Sequence, residues 1–201
     1  MKLPPIPSDW KKHLVANLPA TSDLSTRFSR VLDDAEDERP VQDFLSKNPE
    51  LLSPLVPLGT GVWVWDRPRL GSEFIPDFLA CTRNSSGCQW VLFELESPIE
   101  RPLIQTGLPG KKLREAQGQI RDWRIWLRQN ISYAETELGF RGLNAEANAV
   151  IVIGRRKYVT ESMELQWREL SEPNTSVMTY DRLSEAFSIG RDYRAIADCR
   201  G

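Results

Sequence analysis

Glu94 and Glu96 stand two residues apart at the end of WVLFELE (Trp90 to Glu96), a run whose other members are almost all apolar. Side chains along a strand alternate between faces, so both carboxylates point one way while Val91, Phe93 and Leu95 point the other. Two carboxylates on such a strand are costly unless they are paired or bound to a metal. Asp77 lies in FIPDFLAC (Phe74 to Cys81), which reads as the preceding strand; the turn-like TRNSSG that follows it makes the two runs an antiparallel hairpin. Three acidic groups would then converge on one point. Oxygen-only donors of this kind suit Mg²⁺ or Mn²⁺. The competing reading is a pair of carboxylates at a sheet edge, solvated or salt-bridged.

A helix predicted from about Lys111 to Asn130 carries the next candidates. Leu113, Ala116, Ile120 and Leu127 form an apolar stripe, and Gln119 lies beside it. Gly118 in mid-helix costs about 1 kcal/mol relative to Ala, which close packing on a sheet would explain. Trp123 and Trp126 read as core or interface. Lys111, Lys112 and Arg114 begin this helix, and Arg121, Arg124 and Arg128 continue it. Such a basic face is either solvated or a place where phosphate approaches.

The elements that must position these groups follow from the flanking sequence. Residues 1–22 read as a proline-rich arm, with Pro4, Pro5, Pro7 and Pro19, either free or docked through Leu3, Ile6 and Trp10. Residues 23–201 read as the folded domain. Helices are predicted from about Asp23 to Glu36 and again after Pro40, the second ending at Asn48-Pro49 because the residue before proline avoids the helical region. GVWVWD (Gly61 to Asp66) reads as a strand. AVIVIG (Ala149 to Gly154) is so apolar that it reads as a strand buried on both faces. A helix over Glu161 to Leu170, a strand over Ser176 to Tyr180 and a helix over Asp181 to Phe187 complete the order. That order predicts an α/β fold: a central mixed β-sheet flanked by helices.

Composition narrows the chemistry. The 201 residues carry 26 Lys plus Arg against 28 Asp plus Glu, so a histone-like basic protein is excluded while a local basic patch is not. His13 is the single histidine, which argues against a histidine-based triad or an HExxH site. Cys81, Cys88 and Cys199 make an odd count without a secretory signal, against a disulfide framework. No apolar run approaches the ~18 residues of a membrane span, and MKLPPIPSDWKK lacks the apolar core of a signal peptide, so a cytoplasmic protein with no membrane partner is expected. Catalysis, if present, must run on carboxylates, lysine or hydroxyls.

Taken in order, Ile75-Pro76-Asp77, Glu94-Leu95-Glu96, Gln119-Ile120 and Asp122-Trp123 resemble the PD-(D/E)XK nuclease superfamily, and more narrowly the Shedu anti-phage nuclease domain. The resemblance runs from about Glu38 to Tyr180 through ERPVQDFLSKNPELL, EFIPDFL, WVLFELESP, EAQGQIRDWRIWL and MTYDRL. It implies a PD-(D/E)XK restriction-endonuclease-like fold and a Mg²⁺-dependent DNA endonuclease in bacterial anti-phage defence. Asp77 would match the metal-binding aspartate, Glu94 the second acidic ligand and Gln119 the helical glutamine, with Glu38 a further match to an early-helix glutamate. The resemblance also implies homo-oligomers, dimers or tetramers, for which the Trp-rich helix and the arm are candidate contacts. The departure is Glu96, where the usual pattern has lysine. Glutamate there could be a metal ligand or general base, and Lys111 or Lys112 could bring positive charge from the helix start. Lys111, Lys112, Arg114 and Arg121 are the candidate contacts to the DNA backbone. The alternative is a catalytically degenerate nucleic-acid-binding or sensor module on the same fold.

Overall fold

The computed structural model describes residues 5–15, 22–160, 163, 166, 167, 169, 170 and 172–185. Leu3, Cys199, half of the residues in the helix predicted over Glu161 to Leu170 and residues 186–187 of the last predicted helix lie outside the described residues. Six strands form one mixed sheet in chain order: β1 (Leu14–Val15), β2 (Thr60–Asp66), β3 (Phe78–Asn84), β4 (Gly87–Leu95), β5 (Asn148–Val152) and β6 (Thr175–Met178). The first four pair antiparallel and the last three parallel. A parallel return needs a crossover. Between β4 and β5 it is supplied by α3 (Lys111–Gln129) and the short α4 (Ile131–Thr136). Helices α1 (Ser22–Asp34) and α2 (Arg39–Lys47) precede the long strands. The fold is therefore α/β, a mixed sheet flanked by helices, as the order of elements predicts. Among the described residues no helix is long and apolar enough to cross a membrane.

Strand alternation splits the interior into two cores. Trp90 and Leu92 of β4 join Trp63, Trp65, Leu79 and the α3 residues Leu113, Ile120, Trp123 and Leu127. Val91, Phe93 and Leu95 join Val64, Phe78 and Ala80 with Phe28 and Leu32 of α1 and Val41 and Leu45 of α2. Strand β5 is buried on both faces from Ala149 to Val152, as its continuous apolar run predicts.

Local departures from the predicted elements have identifiable causes. The turn between β3 and β4 is tighter than TRNSSG suggests, because Asn84 pairs with Gly87 across Ser85-Ser86. Gly87, at φ 107, supplies the positive φ this closure requires. Strand β3 begins at Phe78 rather than Phe74, since Pro76 has no N–H to offer a ladder. Helix α2 starts at Arg39 with Pro40 in its first turn, where a missing N–H is harmless. The 3₁₀ turns at Ser8–His13 and Pro49–Leu55, the two-residue β1 and α4 carry no strong periodicity and are not predicted.

One expectation about packing is corrected. A Cβ on Gly118 would meet only the Arg121 guanidinium, 4.0 Å away, so close packing on the sheet does not explain this glycine. Trp10, Trp123 and Trp126 are buried within the chain's own core, which agrees with the core reading of the two helix tryptophans and with a docked Trp10. The Trp10 ring lies 5.1–5.7 Å from the rings of Trp63, Trp65 and Trp90. Its Nε1–H donates to the Gly139 carbonyl at 3.1 Å.

Candidate active site

Glu94 and Glu96 have the same strand parity as Trp90 and Leu92, so they open toward α3. The β4–β5 ladder runs from Val91↔Asn148 to Leu95↔Val152, and Glu96 N–H still donates to the Val152 carbonyl at 2.9 Å. Both carboxylates therefore sit at the carboxyl end of the parallel part of the sheet, where open α/β sheets place their ligands. Both side chains are buried.

Asp77 reaches the same point from β3. Phe78 is paired with Phe93, which puts Asp77 opposite Glu94. Its Oδ2 accepts the Leu95 N–H at 2.7 Å, so a carboxylate ends the ladder where a backbone carbonyl would otherwise do so. Glu38, at the start of α2, is exposed but close enough to act electrostatically on Asp77, Glu94 and Glu96. On α3, Lys112, Glu115 and Gln119 follow one another at helical spacing and share a face. Lys112 Nζ lies 3.7 Å from Glu96 Oε2 and 3.4 Å from Glu115 Oε2. The Gln119 side chain hydrogen-bonds Glu94.

The electrostatics of this cluster are those of too many carboxylates in too little water. Burial pushes Glu94 from 4.5 up to about 9, and Asp77, Glu96 and Glu38 add to the rise against the Gln119 hydrogen bond. Burial lifts Glu96 to about 7, with Lys112 opposing and Glu38, Glu115 and Glu100 assisting. Asp77 is lifted by burial to about 6 despite the Leu95 N–H. Paired acids that resist ionisation at neutral pH are more frequent in functional sites than elsewhere. The oxygen donors able to hold a hard cation are those of Asp77, Glu94 and Glu96. Among the described residues no three His, Cys, Asp or Glu side chains are gathered into a finished metal cage. The carboxylates share one electrostatic field without sharing one set of coordination distances.

The basic candidates divide. Lys112 belongs to the cluster. Lys111 projects to solvent and pairs with Glu115 at 3.6 Å. The Arg114 guanidinium donates to the Pro109 carbonyl. Arg121 lies well down the helix, pairing with Glu172 at 3.2 Å, and so is drawn into tertiary structure away from the carboxylates. Arg124 donates to the carbonyls of Pro173, Ala147 and Asn174 and braces the starts of the parallel strands.

Two participants carry no assignment from sequence. Glu115 sits three residues after Lys112, a spacing that could have suggested the pair. Tyr180 is fully buried and its hydroxyl donates to the Glu96 carbonyl at 2.9 Å. Nothing in MTYDRL marks it for that contact. Gln42, one turn beyond Glu38, donates to Asp66 at 3.3 Å, beside Asp77.

The family model that matches the chain is described as Shedu protein SduA, C-terminal, and covers residues 35–184. No curated protein matches its sequence.

Proposed function

The chain belongs to the Shedu SduA C-terminal family, and from that premise we propose that it is a metal-dependent endonuclease with a PD-(D/E)XK-type site, cutting DNA in the cytoplasm as part of bacterial anti-phage defence. The observation that carries the reading is the convergence of Asp77, Glu94 and Glu96 on one end of β4, two of them buried, with Glu38 adding to their field. What supports a divalent cation there is the chemistry of the donor set. All its members are oxygens, as Mg²⁺ or Mn²⁺ prefer, and their negative charge exceeds what Lys112 offsets.

Asp77, Glu94 and Glu96 would hold the cation. When bound, it would supply Lewis acidity at the scissile phosphate and at the water beside it. The remaining work falls to this chain's side chains. Phosphodiester hydrolysis joins a water oxygen to phosphorus and breaks one P–O ester bond, leaving an alcohol and a phosphate monoester. Glu96, on the same face of the strand as Glu94, would take the water's proton as general base. The departing ester oxygen takes a proton from solvent. Gln119 orients Glu94 by its hydrogen bond. Lys111 and Arg114, next to Lys112 at the start of α3, would hold the DNA backbone without reading its sequence. Homo-oligomers, dimers or tetramers, would bring two or more such sites to one duplex.

The test is cleavage of linear and supercoiled DNA with Mg²⁺, Mn²⁺ or EDTA, comparing wild type with Glu94→Ala. Metal-dependent cutting lost in the variant is expected. DNA retarded on a gel but left intact with every metal would instead favour a degenerate binding module, the reading that glutamate at position 96 keeps open.

A further inference from the structure

We propose that Lys112, on helix α3, supplies the positive charge that the usual pattern of such sites places on the strand at position 96, and that it faces the scissile phosphate. The inference rests on the nuclease reading and adds to it the residue that meets the substrate's charge. Three observations converge on it.

The first is position. Lys112 Nζ lies 3.7 Å from the carboxylate of Glu96, the residue that stands where lysine is expected, so the ammonium occupies the neighbourhood that a lysine at 96 would fill. The second is exposure. The Glu96 side chain is 5% exposed and that of Lys112 45%, so the ammonium lies between the buried carboxylates and the solvent from which DNA must arrive. Lys111, one residue earlier and 81% exposed, makes its contact with Glu115 and none with Glu96. The third is the helix. Lys112 lies in the first turn of a 19-residue helix whose N-cap is Gly110, with no side-chain cap. A cation there works against the helix dipole. The Glu96 and Glu115 carboxylates offset this at rest, and an approaching phosphate would do the same in the complex.

Glu96 and Lys112 thus divide a role between two elements. The strand residue keeps an acid beside Glu94, and the helix returns the charge by way of a four-carbon stem. A lysine ammonium is a compact point charge suited to a phosphate oxygen.

The experiment compares wild type, Lys112→Ala and Lys112→Arg, all in Mg²⁺ and all checked for unchanged circular dichroism. Lys112→Ala should lower the cleavage rate by roughly 100-fold or more, the usual loss when one group stabilising transition-state charge is removed. Lys112→Arg should retain most of the rate. A second readout is the salt dependence of DNA affinity. Its logarithmic slope should fall by about one in Lys112→Ala, as expected for one lost phosphate contact. A purely structural Glu96–Lys112 pair would leave that slope unmoved.

If Lys112→Ala cuts as wild type does, the proposal fails and the nuclease reading stands. A large loss that Lys112→Arg shares in full, with the salt slope unmoved, also overturns it, since the lysine would then support the site rather than meet a phosphate. Wild-type protein that cuts no DNA with either metal overturns the nuclease reading itself, and the proposal with it.

Discussion

Replacing Glu94 with glutamine should make the metal-free protein more stable while abolishing its proposed activity. The carboxyl of Glu94 is held at about 9, first by burial and then by Asp77, Glu96 and Glu38, against 4.5 in an unfolded chain. In the folded state it keeps a proton that the unfolded state releases. The unfolded chain therefore binds fewer protons between pH 4.5 and 9, and stability falls as pH rises through that window. Each pH unit within it costs about 1.4 kcal/mol, so the penalty is near zero at pH 4.5 and reaches about 3 kcal/mol at pH 7. Glutamine has the same shape, cannot ionise and can still accept the Gln119 hydrogen bond. In EDTA at pH 7, Glu94→Gln should raise the melting temperature by roughly 6–12 °C, given about 2–4 °C per kcal/mol for a domain of this size. The gain should shrink to almost nothing at pH 5. Differential scanning calorimetry of both proteins from pH 5 to 8 measures it. Added Mg²⁺ should stabilise the wild type and leave the variant unmoved, because a ligand that binds only the folded state stabilises by mass action. A variant no more stable than wild type at pH 7, or a gain independent of pH, would refute the picture of carboxylates held together against their own repulsion.

Two further substitutions test the scaffold. Gly118→Ala should stabilise the protein by about 1 kcal/mol in urea unfolding, since a Cβ there meets open space and alanine is the better helix former. A destabilised variant would mean that this glycine has a packing role. Trp10→Ala should cost about 3–5 kcal/mol, because it empties the centre of a four-tryptophan cluster and removes one of the donors to the Gly139 carbonyl. The loss should appear as a lower urea midpoint for the entire chain, whereas separate melting of the N-terminal segment would show that residues 5–15 are not part of the cooperative unit.

Strand periodicity alone places Glu94 and Glu96 on one face, because a period of two leaves no other choice. Apolar patterning likewise marks β5 as buried on both sides and α3 as a long amphipathic helix, and their bounds in the fold differ from the predicted ones by only a residue or two. Those facts are local to each segment. The hairpin pattern brings Asp77 toward Glu94 and Glu96, and the family resemblance adds roles for Gln119 and Glu38, whose linkage to Glu94 no local pattern contains.

The tertiary structure decided how these residues meet. Asp77 ends a ladder through its side chain because Phe78 pairs with Phe93, a register fixed by the two-residue turn at Ser85-Ser86, about midway along the chain between Asp77 and Glu94. Lys112 and Lys111 are indistinguishable by type and adjacent in sequence; a rotation of about 100° around α3 gives one of them Glu96 and leaves the other to solvent. Arg121 has the same composition-level claim on phosphate as Arg114, and only the fold reveals that Glu172 has taken it. Trp10 lies in a proline-rich stretch that gives no periodic signal, yet three tryptophans from two distant strands close around it. Periodicity reports which face a side chain takes on its own element. Which partner stands opposite that face depends on how the elements pack, and no single segment carries that information.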